Sequence, residues 1–445
     1  MRKVMEKFKK HMSSFRLILG GFFLVILAGA LLLMTPLASQ SGQWTSFLDA
    51  LFTSTSAVCV TGLIVHDTAT YWNMFGQVVI IILIQIGGIG VVTAVVSIAR
   101  YAGRKIGLMQ RSVMQDAISA PQVGGIVRMV GFIIKGTAFF ELAGAAVMAP
   151  VFIRDFGVLK GIWYAIFHSI SAFCNAGFDL IGVRKPFSSL TSYVSDPVIN
   201  LTIMALIIIG GIGFFTWEDF YKHGLKFHKY RLQTKIVLSV TAVLIIVPAV
   251  YFYFGEFTKG AVGTRVLESL FMSVTPRTAG FNTVDLNTMT EAGQLIVIVL
   301  MLIGGSPGST AGGMKITTIA TMALSMRSSM LQKRCPTVFG RRLELDVVHI
   351  AATIFFMYIS LFLLGGIMIS RIENLPVLEC LYETASALDT VGLTMGITTK
   401  LHAASKIILI CYMYIGRVGG MTLAFAALRK NRVAAAMPAE NIMIG

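Results

Sequence analysis

Charge is scarce in this chain. Asp, Glu, Lys and Arg make up 13% of its 445 residues, whereas 56% are hydrophobic. A soluble domain cannot cover its surface with so few charges, so the composition excludes a soluble enzyme and predicts an integral membrane protein. The five cysteines (Cys59, Cys174, Cys335, Cys380, Cys411) are odd in number and lack a C-x-x-C spacing, which argues against a disulfide framework or a zinc site. His66, His168, His223 and His228 show no metal-ligand spacing and read as loop histidines. No G-x-G-x-x-G occurs at Gly87, Gly88 and Gly90 or at Gly210, Gly211 and Gly213, and Gly313 is followed by Met314. Nucleotide-binding turns are therefore absent, and the two glycine triplets read as close helix packing. Few His, Asp or Glu residues fall in the apolar runs, which leaves an intramembrane enzyme without its acid–base groups.

Acidic residues are also few, 21 against 37 basic, for a net charge of +16. This excess does not point to nucleic acid, because 24 of the 37 Lys and Arg fall at the termini and in the connections between apolar units. That bias marks cytoplasmic loops and places both termini on the cytoplasmic side of the membrane. The opposite face carries 10 basic and 13 acidic residues, a balance that mildly favours arriving cations. Arg2, Lys3, Lys7, Lys9 and Lys10 precede an apolar run from Leu17 to Met34. The run is longer than a signal-peptide core and reads as a first span.

What is present is one arrangement repeated four times: a span, an apolar helix of half length, a lone glycine in a short polar loop, and a second span. The loops contain Val60, Thr61 and Gly62; Asn175, Ala176 and Gly177; Thr278, Ala279 and Gly280; and Thr390, Val391 and Gly392. The paired spans run over residues 15–34 and 75–98, 127–152 and 199–217, 236–254 and 295–326, and 347–369 and 407–428. Each is close to the ~20 residues that cross a bilayer. The half-length runs, residues 44–56, 162–173, 264–274 and 377–388, are too short to cross and suit re-entrant segments. Ten residues before the glycines stand Phe52, Phe167, Leu270 and Tyr382; six before them stand Ser56, Ser171, Val274 and Ser386. The expected fold is all-α and integral to the membrane, with eight transmembrane helices in repeats 1–110, 111–230, 231–340 and 341–445 around a central pore.

Chain that enters a membrane as a half-helix and returns as a loop leaves backbone groups without partners, and an ion in a protein-lined cavity satisfies them. Glycine lets carbonyls approach a ligand closely, and the carboxyl end of each half-helix favours a cation. Only Asp179 and Asp389 lie close to the loops, both assigned to the acidic side, so selectivity is expected from carbonyl oxygens. In the third repeat the second span contains Gly304, Gly305, Ser306, Pro307, Gly308, Ser309, Thr310, Gly312 and Gly313. A packing face needs small residues on one side of a helix, whereas these are contiguous and polar, so they read as a mobile gate lining the path. Arg417, within the last span, is expected to face the pore below the filter, where its charge opposes a passing cation and its donors fix the gate. Lys135 and Glu141 read as boundary or interhelical residues.

The Thr390–Gly392 triplet resembles the front half of the potassium-channel filter, and the four single-glycine loops resemble the Trk/Ktr/HKT superfamily of potassium transporters. Within it the chain is similar to the bacterial Ktr-type translocating subunit, over roughly residues 17–432. The resemblance implies potassium as the ion carried, with sodium as a candidate stimulant, and no cofactor on this chain. It further implies an intramembrane gating loop, a pore-facing arginine, a homodimer, and a separate cytosolic ring of regulator-of-conductance domains that binds ATP or ADP. Each glycine is followed by an apolar residue (Leu63, Phe178, Phe281, Leu393) instead of a second filter glycine, so fewer carbonyl rings are expected than in a potassium channel. An ion-coupled secondary carrier of another monovalent cation is the alternative, although carriers usually show two inverted halves.

Overall fold

The computed structural model describes residues 14–101, 107–118 and 124–419. The first quarter contains α1 (Ser14–Met34), α2 (Phe47–Val58), α3 (Met74–Ile89), α4 (Val91–Tyr101) and the connecting α5 (Leu108–Ala117). The second contains α6 (Ile126–Phe156), α7 (Val158–Phe173), α8 (Pro197–Gly211) and α9 (Phe214–His223). The third contains α10 (Leu232–Tyr251), α11 (Val262–Val274), α12 (Glu291–Met301) and α13 (Ile316–Met330). The last contains α14 (Leu345–Glu373), α15 (Val377–Leu388) and α16 (Ala403–Val418). A short hairpin, β1 (Thr337–Val338) with β2 (Arg341–Arg342), turns through Phe339 and Gly340 between α13 and α14.

The helix starts are written locally. Asn73 and Thr290 accept the backbone N–H of Gly76 and Gly293 to open α3 and α12, and Asp196 caps α8 ahead of Pro197. Such caps satisfy N–H groups that have no partner within the helix.

Among the described residues four helices are long and apolar enough to cross a membrane: α1, α6, α10 with its π-helical extension to Glu256, and α14. These are the first spans expected for the four units. Two of the second spans differ from expectation, because they are interrupted, whereas the third is broken as its sequence predicts. The first breaks at Gly90, the second at Gly213 with a bend of 95°, and the third over residues 302–315, while the described helix of the fourth ends at Gly419. Gly90, Gly213 and Gly419 hold φ of +92°, +92° and +88°, a backbone that an L side chain rarely adopts. Apolarity runs through the breaks at Gly90 and Gly213, so hydropathy alone does not reveal those two. The expected end of the last span lies outside the described residues.

The buried core is continuous and centres on the four half-helices α2, α7, α11 and α15. Glycines on the second helices admit them closely. A Cβ at Gly87, Gly210 or Gly416 would overlap the carbonyl oxygen of Val58, Phe173 or Leu388 respectively. Each of those carbonyls lies four residues before the loop glycine of its own unit. The packing role expected for the glycine triplets is therefore seen, together with the helix breaks that were not expected.

His168 corrects the reading of loop histidines. It lies in α7, fully buried, with Nδ1 2.7 Å from the Tyr164 carbonyl and Nε2 accepting the Leu180 N–H. Glu141 is interhelical, accepting from Gln85 Nε2 at 3.2 Å, whereas Lys135 is exposed.

Candidate ion pathway

The four glycine loops meet. A Cβ built on Gly62 would stand 2.6 Å from the Ala176 carbonyl oxygen, and one on Gly177 would stand 2.7 Å from that of Ala279. At Gly280 the approach to the Val391 oxygen is closer still, and at Gly392 the ring closes on the Thr61 oxygen. Each glycine thus abuts the next loop in chain order and the fourth returns to the first, so no side chain fits between them.

Backbone handedness alternates in all four loops. The glycines hold φ of +93°, +69°, +81° and +96°, and the residues two before them, Val60, Asn175, Thr278 and Thr390, hold +51°, +58°, +66° and +51°. Only nine non-glycine residues among those described have positive φ, so four of the nine stand here at equivalent positions. Such residues cost about 1–3 kcal/mol each and persist only where their surroundings impose them. Alternation of this kind turns successive carbonyls to one side, as a carbonyl-lined ion site requires.

The half-helices hold the loops by side chains near their carboxyl ends. Ser56 and Ser386 accept the N–H of Gly62 and Gly392 at 3.0 and 2.9 Å. Ser171 donates to the Phe178 carbonyl at 2.7 Å. The third unit corrects the expected register. Thr275, not Val274, donates to the Phe281 carbonyl, and Phe271 is buried where Leu270 is only partly so. The third loop is therefore one residue shorter than the others, a shift that spacing from the glycine could not show. Ser386→Ala would leave the buried N–H of Gly392 without its acceptor, at about 1–3 kcal/mol. The variant should show a correspondingly lowered melting temperature in a thermal unfolding measurement.

Residues 302–315 lie directly against this ring. Thr310 donates to the Phe173 carbonyl at 3.0 Å and to Asn175 Oδ1 at 3.3 Å, touching the second loop. On the other side Met314 N–H donates to Asp389 Oδ1 at 2.6 Å, and Gly312 lies against Thr390. Asp389 therefore faces the segment of residues 302–315, which corrects its assignment to the acidic side. Main-chain bonds tie the segment to α8 and α16: Ser306 N–H reaches the Gly211 carbonyl at 2.9 Å, and Gly313 N–H reaches that of Gly416 at 3.1 Å. Gly304 N–H returns to the Met314 carbonyl at 2.8 Å, and Ser309 donates to Ser306. Gly305 and Gly308 sit where a Cβ would strike Ala311 and the Ile118 carbonyl.

Arg417 closes the arrangement. It donates to the Thr310 carbonyl on the segment and to the carbonyls of Gly87 and Gly88, the latter at 3.1 Å. One side chain thus links the segment to the end of α3. With Lys315, Ser309 and Gly308 it lines a cavity of about 410 Å3.

Two cations were not singled out from sequence. Lys315 donates to the carbonyls of Ala311 and Gly312 at 2.8 and 2.9 Å. Its signal was available, since an ionisable residue in an apolar run marks a functional candidate. Arg277, three residues before Gly280 and 5% exposed, reaches Thr241 Oγ1 at 3.3 Å while its Nε finds no partner. Among the described residues no group of three His, Cys, Asp or Glu side chains could hold a metal ion.

Comparison with known proteins places this geometry. The TrkH family, described as cation transport proteins, matches residues 20–433. The potassium/sodium uptake protein NtpJ of Enterococcus hirae is 40% identical, with 99% of each chain covered. The Ktr system potassium uptake protein B of Bacillus subtilis is 37% identical over 96% of this chain and 95% of its own. The crystal structure of the potassium transporter TrkH from Vibrio parahaemolyticus superposes with a TM-score of 0.73 at 19% identity, covering 94% of this chain and 86% of that one. At that identity the superposition establishes a shared fold.

Proposed function

The chain belongs to the TrkH family of cation transport proteins, beside the Ktr and Ntp potassium uptake proteins, and from that premise we propose that it admits potassium through the ring of glycine loops. The protein is a multi-pass membrane transporter, not an enzyme. In the proposed reading the chain crosses a bacterial cell membrane eight times, with both termini cytoplasmic. The second crossings of the first three units are interrupted, and the four units are residues 1–110, 111–230, 231–340 and 341–445.

One observation carries the reading: four loops with the same alternating backbone close on one another in chain order. Such a ring offers main-chain oxygens in place of an ion's hydration shell. The membrane potential supplies the driving force, about 2.3 kcal/mol per charge for every 100 mV, or roughly fiftyfold accumulation. Residues 304–313 act as the gate beneath the filter, and Arg417 holds it while its charge opposes the ion. Two like charges ~8 Å apart repel by ~2 kcal/mol at an effective dielectric constant of ~20.

Control comes from outside this chain. The basic connections dock a cytosolic regulator-of-conductance ring that binds ATP or ADP, two copies of the chain assemble as a homodimer, and sodium acts as a stimulant. The names of the Ktr system relatives, which denote one component of a system, support a separate regulatory subunit. An ion-coupled carrier of another monovalent cation is not favoured, because the relatives are potassium uptake proteins.

Tracer flux into proteoliposomes tests the proposal. Rubidium uptake should follow an imposed inside-negative potential with no proton or sodium gradient, and potassium should compete more strongly than sodium. Uptake that requires a proton gradient would establish the carrier instead.

A further inference from the structure

A second cavity, of about 770 Å3, opens between the first turns of α6, the bent helix α9 and the start of α10. Four cations line it: Arg128 and Lys135 from α6, Lys222 from α9, and Arg231 just before α10. Arg128 and Lys135 are seven residues apart, hence on one face of the helix. Both are exposed, and neither side chain forms a hydrogen bond or ion pair with another described residue. Lys222 and Arg231 share a single carboxylate, Glu218, at 2.5 and 2.7 Å. Asp219, beneath Arg231 at 3.5 Å, is 1% exposed and is held by the Arg231 N–H and the Thr234 hydroxyl. Even counting Asp219, the cavity keeps an excess of two positive charges. Met129, Phe132 and Phe215 supply an apolar wall beside them.

The charges of α6 fix the depth of this cavity. Between Lys135 and Arg154 lie 18 residues whose one ionisable group, Glu141, is buried and bonded to Gln85. Eighteen helical residues span ~27 Å, close to the ~30 Å hydrocarbon core. Lys135 therefore stands at the boundary between hydrocarbon and headgroups, and Arg128 lies two turns further out.

We propose that this cavity binds an anionic phospholipid, its phosphate among Arg128, Lys135, Lys222 and Arg231 and its acyl chain along Met129 and Phe132. Basic pockets between membrane helices suit such headgroups. An apolar wall in the same cavity selects a lipid over a free anion. The site does not depend on the ion pathway.

The test uses the full-length protein in nanodiscs of phosphatidylcholine alone or mixed with phosphatidylglycerol, with retained lipid read by native mass spectrometry. The wild type should retain phosphatidylglycerol preferentially. Arg128→Gln and Lys135→Gln should each lower that preference about fivefold, and the pair about thirtyfold. The charge-conserving exchanges Arg128→Lys and Lys135→Arg should keep it. All variants should melt with the wild type in phosphatidylcholine, and any neutral variant that does not is replaced by the other single exchange. Equal retention of the two lipids by the wild type overturns the proposal. So does an unchanged preference in the neutral variants, or an equal thermal shift from inorganic phosphate in phosphatidylcholine discs. Variants that lose only the binding of an acidic partner protein, with lipid preference intact, also overturn it.

Discussion

Serine in place of Gly392 should lower potassium-over-sodium selectivity at least tenfold while the protein still inserts and folds. The position holds φ of +96°, so any side chain incurs about 1–3 kcal/mol of backbone strain. It also meets the carbonyl oxygen of Thr61 across the ring at less than contact distance. Relief requires that oxygen, or the whole fourth loop, to move outward, and carbonyls displaced from the ion no longer replace its water. The four glycines should rank by their room. Alanine at Gly392 and Gly280 should cost most, and alanine at Gly62 and Gly177, where the approach is 2.6 and 2.7 Å, should cost least. Tracer flux at matched protein content measures the ratio, and the melting temperature separates filter damage from unfolding. Unchanged sodium discrimination in all four variants would remove the ring from the pathway.

Arg417→Ala should raise basal flux, measured without any cytosolic partner, by at least tenfold. The side chain donates to carbonyls of Thr310, Gly87 and Gly88 and so links the 302–315 segment to α3. Hydrogen bonds from a charged donor contribute ~1.5–3 kcal/mol each, and ~3 kcal/mol shifts a closed-to-open ratio more than a hundredfold. Lysine at this position separates charge from bridging. It keeps the positive charge but cannot span the same carbonyls with a planar fork. High flux in Arg417→Lys assigns the effect to the bridge, and low flux assigns it to the charge. Deletion of residues 304–313 should act in the same direction. Flux that falls or stays level in every one of these variants would deny the segment a gating role.

The loops were legible in the sequence because glycine spacing survives where other residues diverge. Gly62, Gly177, Gly280 and Gly392 tolerate no Cβ, so the physical constraint and the visible pattern coincide. The broken run of the third unit was legible for the same reason, since contiguous small polar residues cannot continue a helix. The breaks at Gly90 and Gly213 were not, because apolar residues continue on both sides (Ile89 and Val91, Ile212 and Phe214) and hydropathy is blind to one left-handed residue. The third half-helix shows the limit of counting. Its loop is one residue shorter, so Thr275 and Phe271 take the places that spacing gave to Val274 and Leu270. His168, Arg277 and Asp389 escaped because their roles depend on which element lies opposite, and a single chain's pattern does not carry that information.

Rubidium, whose anomalous scattering marks its position, offers the most direct test of the ring. Crystals grown in rubidium should show a peak enclosed by the loops of Gly62, Gly177, Gly280 and Gly392, within coordination distance of main-chain oxygens from all four. A peak held by side chains elsewhere, with the space between the four loops empty at saturating rubidium, would contradict the account.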